Sequence, residues 1–257
     1  MKSSNRFGCD LLVLSPHSDD AEIGLGGTLA LFAHRGAKTW AVDLTQGELG
    51  TNATVPERWS EAESASAALG LTGRAQLELP DGFIDPADRL QVEVVVSVIR
   101  SLRPRWVVTA PEPYRHPDHV ATPRLVAKAC FMAQLLSLQP DPPVIGLWSG
   151  GASWPEPAEV WQVDTLLSVC PASEKPSLFF DISETWEIKK QALACYASQF
   201  DSGGDRRPTP INDPDFLLRI ERRARNWGRR AGCDFAEAFQ TESAPVLNGL
   251  PTGRWSE

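Results

Sequence analysis

Three of the four histidines stand in two short acidic clusters, His17-Ser18-Asp19-Asp20 and His116-Pro117-Asp118-His119. Imidazole nitrogens and carboxylate oxygens are the donors that hold zinc and comparable divalent ions. His17 and Asp20, three apart in a turn, can reach one point, and His119 completes a set of two nitrogens and one carboxylate. Such a set leaves a coordination position for water, as catalytic rather than structural zinc sites do, because water acidified to a pKa of about 7 is a nucleophile at neutral pH. Zn(II) is the ion expected first, and Fe(II) or another divalent metal suits the same donors.

The remaining members of the clusters supply acid and base groups. Asp19, adjacent to ligand Asp20, is placed to act as general base. His116, with Asp118 expected to hold it protonated as an orienting partner, is placed to stabilise an oxyanion or to protonate a leaving amine. Either cluster alone has a structural reading, since Asp118 could simply cap the helix that follows it. His34, in the last turn of a helix, suits the helix dipole and is assigned no chemistry.

Each cluster must sit at the end of a strand. Leu11-Leu12-Val13-Leu14 and Trp106-Val107-Val108-Thr109 are short apolar runs suited to buried parallel strands. Strand and helix signals alternate: strands at 10–15, 39–44, 75–79 and 105–110, helices near 22–35, 56–69, 89–102 and 120–137. The pattern predicts an α/β fold with a Rossmann-like, doubly wound, mostly parallel sheet carrying helices on both faces. In such sheets ligands bind outside the carboxyl ends of the strands, where two remote loops can meet. Gly36 is read as a helix stop, Pro56 as a helix start, and Val92, Val95, Val96 and Ile99 as one buried helical stripe.

The chain is read as one domain, with residues 1–137 as the core and 138–257 as an irregular C-terminal extension. Prolines, glycines and tryptophans crowd 138–177, where a short strand at Val160–Val163 is expected. Helical periodicity returns at about 184–198 and 213–231. The face of the latter that carries Arg219, Arg222, Arg223 and Arg230 reads as solvated surface. Gly24, Gly26 and Gly27 resemble the start of a dinucleotide fingerprint, but its third glycine would fall on Leu29, which counts against a nicotinamide-dependent oxidoreductase.

With 257 residues and a formal net charge of -8, nucleic acid and anionic membrane are disfavoured as partners, and a small-molecule substrate is favoured. Five cysteines without a Cys-x-x-Cys pair point to a reducing compartment, and no run approaches the roughly 20 apolar residues of a membrane span. A cytoplasmic protein is expected.

His17-Ser18-Asp19-Asp20-Ala21-Glu22-Ile23-Gly24 together with His116-Pro117-Asp118-His119 resembles the signature of the LmbE-like (PIG-L) zinc deacetylases. The resemblance implies removal of an N-acetyl group from an N-acetylglucosamine conjugate. It also implies His17, Asp20 and His119 as metal ligands, Asp19 as base, His116 as transition-state stabiliser, and a homo-oligomer such as a hexamer. Asp43 to Thr51, Pro56-Glu57-Arg58, Arg115 and Tyr196-Ala197-Ser198-Gln199-Phe200 resemble the bacillithiol-pathway branch, which acts on N-acetylglucosaminyl malate. Arg58 and Arg115 are apt partners for malyl carboxylates, because guanidinium binds carboxylate through two parallel hydrogen bonds. Arg58 could instead pair with Glu61 or Glu63 on its own helix. Tyr114 matches a tyrosine found near the scissile amide in some relatives, although the bacillithiol branch often has an acid there, and Ser18 stands where proline or alanine is usual. Alternatives are a mycothiol-type or related deacetylase and a non-catalytic sugar-binding protein.

Overall fold

The structure, a computed structural model, describes residues 7–109, 116–141, 145–149, 154–201, 203 and 205–241. The first half alternates as expected: β1 (Cys9–Ser15), α1 (Asp20–His34), β2 (Thr39–Thr45), α2 (Val55–Leu69), β3 (Gly73–Leu79), α3 (Arg89–Leu102), β4 (Pro104–Thr109) and α4 (Pro117–Met132). The second half adds β5 (Ile145–Ser149), β6 (Thr165–Val169), β7 (Leu178–Asp181), a 3₁₀ turn (Ser183–Thr185), α5 (Trp186–Ala194), α6 (Ala197–Phe200), α7 (Phe216–Ala231) and β8 (Ala236–Gln240).

All eight strands form one sheet in the order β5-β3-β2-β1-β4-β6-β8-β7. The central run β3-β2-β1-β4-β6 is parallel, while β5, β8 and β7 pair antiparallel at the edges. The chain winds outward from β1 through β2 to β3, then returns to place β4 on the other side of β1. The switch point of the sheet therefore lies between β1 and β4, which pair Leu14 with Thr109, and that crevice is where a ligand fits.

Helices cover both faces. Leu12, Leu14 and Val42 pack under α3 and α4, and Leu11, Val13 and Val108 pack under α1, α2 and α5. A strand buried on both sides needs an unbroken apolar run, which is why β1 does not alternate. Local signals account for the helix ends. Thr54 and Glu57 form a capping box at the start of α2, with Pro56 in its first turn and left-handed Gly70 closing it. Val92, Val95, Val96 and Ile99 are the buried stripe of α3, each contributing roughly 1.5–3 kcal/mol.

Four expectations change. The region after 138 is not an appendage, since it supplies four strands of the same sheet. Val160–Val163 is no strand: Trp161 is buried, its backbone N–H donates to Ala133 O at the end of α4 and its indole to Pro104 O at the start of β4, so the segment is tied to element ends rather than to a neighbouring strand, and the strand comes later at Thr165–Val169. The helix expected at 184–198 divides at Cys195–Tyr196, which turns Tyr196 into the core. α4 starts three residues earlier than read, at Pro117, because a first-turn proline lacks only an N–H that would have no helical partner. Among the described residues no helix is long and apolar enough to cross a membrane.

Candidate functional site

Four parallel strands bring their carboxyl-end loops together. The turn after β1 carries His17, Asp19 and Asp20; the start of α4, beside the end of β4, carries His116, Asp118 and His119; the turn after β3 carries Asp81; and α2, entered from β2, carries Arg58. Ligand atoms of His17, Asp20 and His119 all lie within 4.8 Å of one another. His17 Nδ1 is 3.2 Å from Asp20 Oδ2, and His119 Nε2 is 3.3 Å from Asp20 Oδ1. Donors about 2.0–2.2 Å from a tetrahedral ion stand about 3.3–3.6 Å apart. Those two separations, and the nitrogen and oxygen chemistry of the set, fit a divalent cation.

The opposite edge of the His17 ring meets a second pair of acids. Its Nε2 lies 3.0 Å from Asp81 Oδ1 and 3.3 Å from Asp118 Oδ2. Burial opposes the charged ring, but contacts with Asp118, Asp20 and Asp81 outweigh it and push its pKa well above the usual value. Asp81, Asp118, His17 and His116 form a second cluster of potential donors, yet its acids are already occupied. Asp118 accepts N–H bonds from Gly82 (2.8 Å) and Ile84 (3.2 Å), and Asp81 accepts one from Leu49 (3.0 Å). These acids are fixed props for the His17 ring, the arrangement that sets ring orientation and tautomer of histidines at metal sites.

Asp118 therefore does not do what the sequence reading assigns it. Among the described residues no hydrogen bond or ion pair joins its carboxylate to His116; instead its backbone N–H donates to His116 Nδ1 at 3.3 Å. With Nδ1 accepting, the ring carries its proton on Nε2. Burial, and then the neighbouring His17, lower the His116 pKa, which disfavours an imidazolium held by an acid.

Asp19 is the residue before α1, and its side chain caps no N–H of that helix. It is buried, and burial followed by the charge of Asp20 raises its pKa, while Arg58 and His17 oppose the shift. Arg58 Nη2 stands 3.5 Å from Asp19 Oδ1. Glu61, a possible partner for Arg58 on α2, instead accepts from the N–H and hydroxyl of Ser198. The buried Nε of Arg58 has no hydrogen-bond partner among the described residues. The loop above it requires glycine at position 47: φ is +64°, and a Cβ would collide with the guanidinium. Tyr114 and Arg115 lie outside the described residues.

Two buried devices hold the first cluster in place. Arg74 binds Asp43 with two bonds, Nε to Oδ2 at 2.8 Å and Nη2 to Oδ1 at 2.9 Å, and binds Glu22 Oε1 at 2.6 Å. Arg74 Nη2 and the Tyr196 hydroxyl both donate to the carbonyl of Ser18, clamping the turn between His17 and Asp19. The second device is a break in α1 at Leu25, where φ is -148°. The carbonyl of Ile23 there takes bonds from Lys189 Nζ (3.1 Å) and Arg223 Nη2 (2.8 Å). Past the break, Glu237 accepts the N–H groups of Gly27 and Thr28 while pairing with Lys189. The first turn of the helix, bearing Asp20, is thus oriented separately from the remainder.

A cavity of about 910 Å³ opens on this cluster, near the upper end of the roughly 300–1,000 Å³ typical of small-molecule sites. Its wall includes His17, Asp19, Asp20, Arg58, Asp81 and His119, and beyond them Arg219 and Arg223 of α7. The sequence reading puts that arginine face in solvent; the structure turns two of its arginines toward the cavity. It also misses Asp81, whose one legible signal is that Pro80-Asp81-Gly82 directly follows a predicted strand.

The sequence profile of the PIG-L family, described as GlcNAc-PI de-N-acetylase, matches residues 12–130, a span that contains both histidine clusters. The diacetylchitobiose deacetylase of Thermococcus kodakarensis is 29% identical over 201 residues, covering 74% of this chain and 70% of that protein. The 4-oxalmesaconate hydratase of Pseudomonas putida is 29% identical over 204 residues, with 73% of each covered. Among solved structures, that of a conserved protein from Thermus thermophilus superposes on 96% of this chain and 100% of its own, with a TM-score of 0.78 and 33% identity. Motif, matched span and fold agree, and the chain belongs to the PIG-L (LmbE-like) deacetylase family.

Proposed function

We propose that this protein hydrolyses the acetamide of an N-acetylglucosamine conjugate, with N-acetylglucosaminyl malate as the first candidate substrate. The observation that carries the reading is the convergence of His17, Asp20 and His119 beside the buried carboxylate of Asp19, which faces Arg58, at one end of a cavity large enough for a sugar conjugate. Zn(II) is the proposed ion. When bound, it supplies a Lewis acid and lowers the pKa of an adjacent water toward about 7.

The side chains account for the rest of the reaction. Asp19, with its raised pKa, accepts the proton of the attacking water. Oxygen adds to the acetyl carbon, and the developing oxyanion is met by the Nε2–H of neutral His116. The carbon–nitrogen bond then breaks, Asp19 returns its proton to the departing amine, and acetate and the free glucosamine conjugate leave. Arg58, whose buried Nε lacks a partner among the described residues, is proposed to bind substrate oxygen close to Asp19, and Tyr114 and Arg115 are proposed substrate contacts on family resemblance. A cytoplasmic homo-oligomer belongs to the same reading.

The test is acetate release by metal-loaded protein from N-acetylglucosaminyl malate, an N-acetylglucosaminyl inositol and diacetylchitobiose. Turnover of at least one conjugate is expected. A protein that retains one equivalent of metal and releases no acetate from any of them overturns the reading. Hydration of 4-oxalmesaconate, followed by loss of its ultraviolet absorbance, would then place the chain with its hydratase relative. Less than a tenth of an equivalent of metal after gentle purification would favour a non-catalytic sugar-binding protein.

A further inference from the structure

Just past its first turn α1 is broken at Leu25, and an ion pair from later in the chain is seated in the break. In an unbroken helix the N–H of Gly27 would donate to the carbonyl of Ile23, and that of Thr28 to the carbonyl of Gly24. Here the Gly27 N–H donates to Glu237 Oε1 at 3.1 Å and the Thr28 N–H to Glu237 Oε2 at 2.7 Å. The Ile23 carbonyl accepts from Lys189 Nζ at 3.1 Å and from Arg223 Nη2 at 2.8 Å. Lys189 and Glu237 also pair with each other, and both are almost fully buried. An acid takes the donor end of the opened helix and a base takes its acceptor end.

The glycines of Gly24-Leu25-Gly26-Gly27, which resemble the start of a dinucleotide fingerprint, belong to this arrangement. A Cβ at Gly27 would lie 2.7 Å from the side chain of Ile182, and one at Gly26 would stand 3.4 Å from Lys189 Cγ. A larger residue at 27 would push away Ile182, and with it the 3₁₀ turn that leads into α5 and Lys189. Ile23, Gly24 and Leu25 line the cavity, so the break lies in the wall of the site. The short segment ahead of it, which carries Asp20, is tied at one end through the Ser18 carbonyl to Arg74 and Tyr196. At the other end it is tied through the Ile23 carbonyl to Lys189 and Arg223.

We propose that Lys189 and Glu237 are positioning residues for the metal site: they let the first turn of α1 take its own direction, and so set where Asp20 meets His17 and His119. Replacing a buried ion pair by apolar groups is often neutral for stability, so geometry rather than stability is the reason to keep one here. The inference takes from the deacetylase reading only the ligand role of Asp20.

The experiment measures zinc affinity of the folded protein by competition against a chelator, beside urea unfolding. E237Q, whose amide offers the Gly27 and Thr28 N–H groups one oxygen in place of two, should weaken zinc binding about tenfold or more. K189M/E237Q, which removes both charges and leaves neither unpaired, should do the same and serves if E237Q does not fold. V96A opens a cavity under α3, on the other face of the sheet; it should lower stability and leave zinc affinity unchanged. Hydrogen exchange of the unaltered protein needs no variant: zinc should slow exchange in a peptide covering 16–24 and leave one covering 27–34 unchanged. Zinc affinity unmoved in both ion-pair variants, an equal loss of affinity in V96A, or slowing that extends evenly across 16–34 overturns the inference. No acetate release, beside zinc binding that E237Q weakens, defeats the deacetylase reading instead and leaves this one standing.

Discussion

Nε2 of His17 lies 3.0 Å from Oδ1 of Asp81, a residue 64 positions away that approaches the ring from the side opposite Asp20. A histidine braced in this way keeps its other nitrogen aimed at the proposed metal position. Removing such a partner typically lowers metal affinity about 10–100-fold. Asp81→Asn should do so, as read by zinc competition against a chromophoric chelator. An unchanged affinity would show that Asp118 alone orients the ring.

Asp19 makes a different prediction, because its role is in proton transfer. Asp19→Ala should retain metal at the unaltered stoichiometry and lose about 10²–10⁴ in kcat. Metal analysis beside a steady-state assay separates this outcome from a ligand defect. Metal loss that accounts for the whole decrease would move Asp19 into the ligand set.

Arg74 is fully buried between Asp43 and Glu22 and also holds the Ser18 carbonyl. Arg74→Met leaves two carboxylates buried without their counter-charge and should cost about 3–5 kcal/mol, read from urea denaturation. Arg74→Lys should not restore the loss, since an ammonium cannot make the two-pronged bond to Asp43 while reaching Glu22 and Ser18. A cost below about 1 kcal/mol for R74M would show that the network is not a structural clamp.

Cys130 gives a prediction in the alkaline range. Burial pushes its thiol up to about 12 from an ordinary value of 9.0. A raised folded pKa contributes stability that is fully present below the unfolded value and is lost as pH rises through the folded one. The window is therefore about pH 9 to 12, with a slope of about 1.4 kcal/mol per pH unit for one such group. The stability difference between the unaltered protein and Cys130→Ala should narrow by that slope above pH 9. At pH 8 iodoacetamide should leave Cys130 unmodified in folded protein and modify it in urea. Rapid labelling of the folded chain would contradict the burial.

The candidate cluster is legible because its parts are local. His17 and Asp20 share one turn, His116 and His119 share another, and each turn follows an apolar run that only a strand explains. Asp81 was not legible, because Pro80-Asp81-Gly82 has the composition of an ordinary turn, and its chemistry exists only where β3 lies two strands from β1. The motif Tyr196-Ala197-Ser198-Gln199-Phe200 could be noticed, but not that the Tyr196 hydroxyl ends on the Ser18 carbonyl. The break in α1 was hidden for the same reason: the donors and acceptor that satisfy its open ends, Lys189, Arg223 and Glu237, arrive from later in the chain.

By itself the sequence determined the alternation of strands and helices, the parallel core and the local pairing of His17 with Asp20 and of His116 with His119, since hydrophobic periodicity, caps and short spacings act within a few residues. Only the tertiary structure decided which acid braces which imidazole, that Asp118 turns to His17 rather than His116, and that two arginines of α7 face the cavity. Those outcomes depend on strand order and helix packing, which set the distance between groups remote along the chain and therefore which of many possible charge pairs forms.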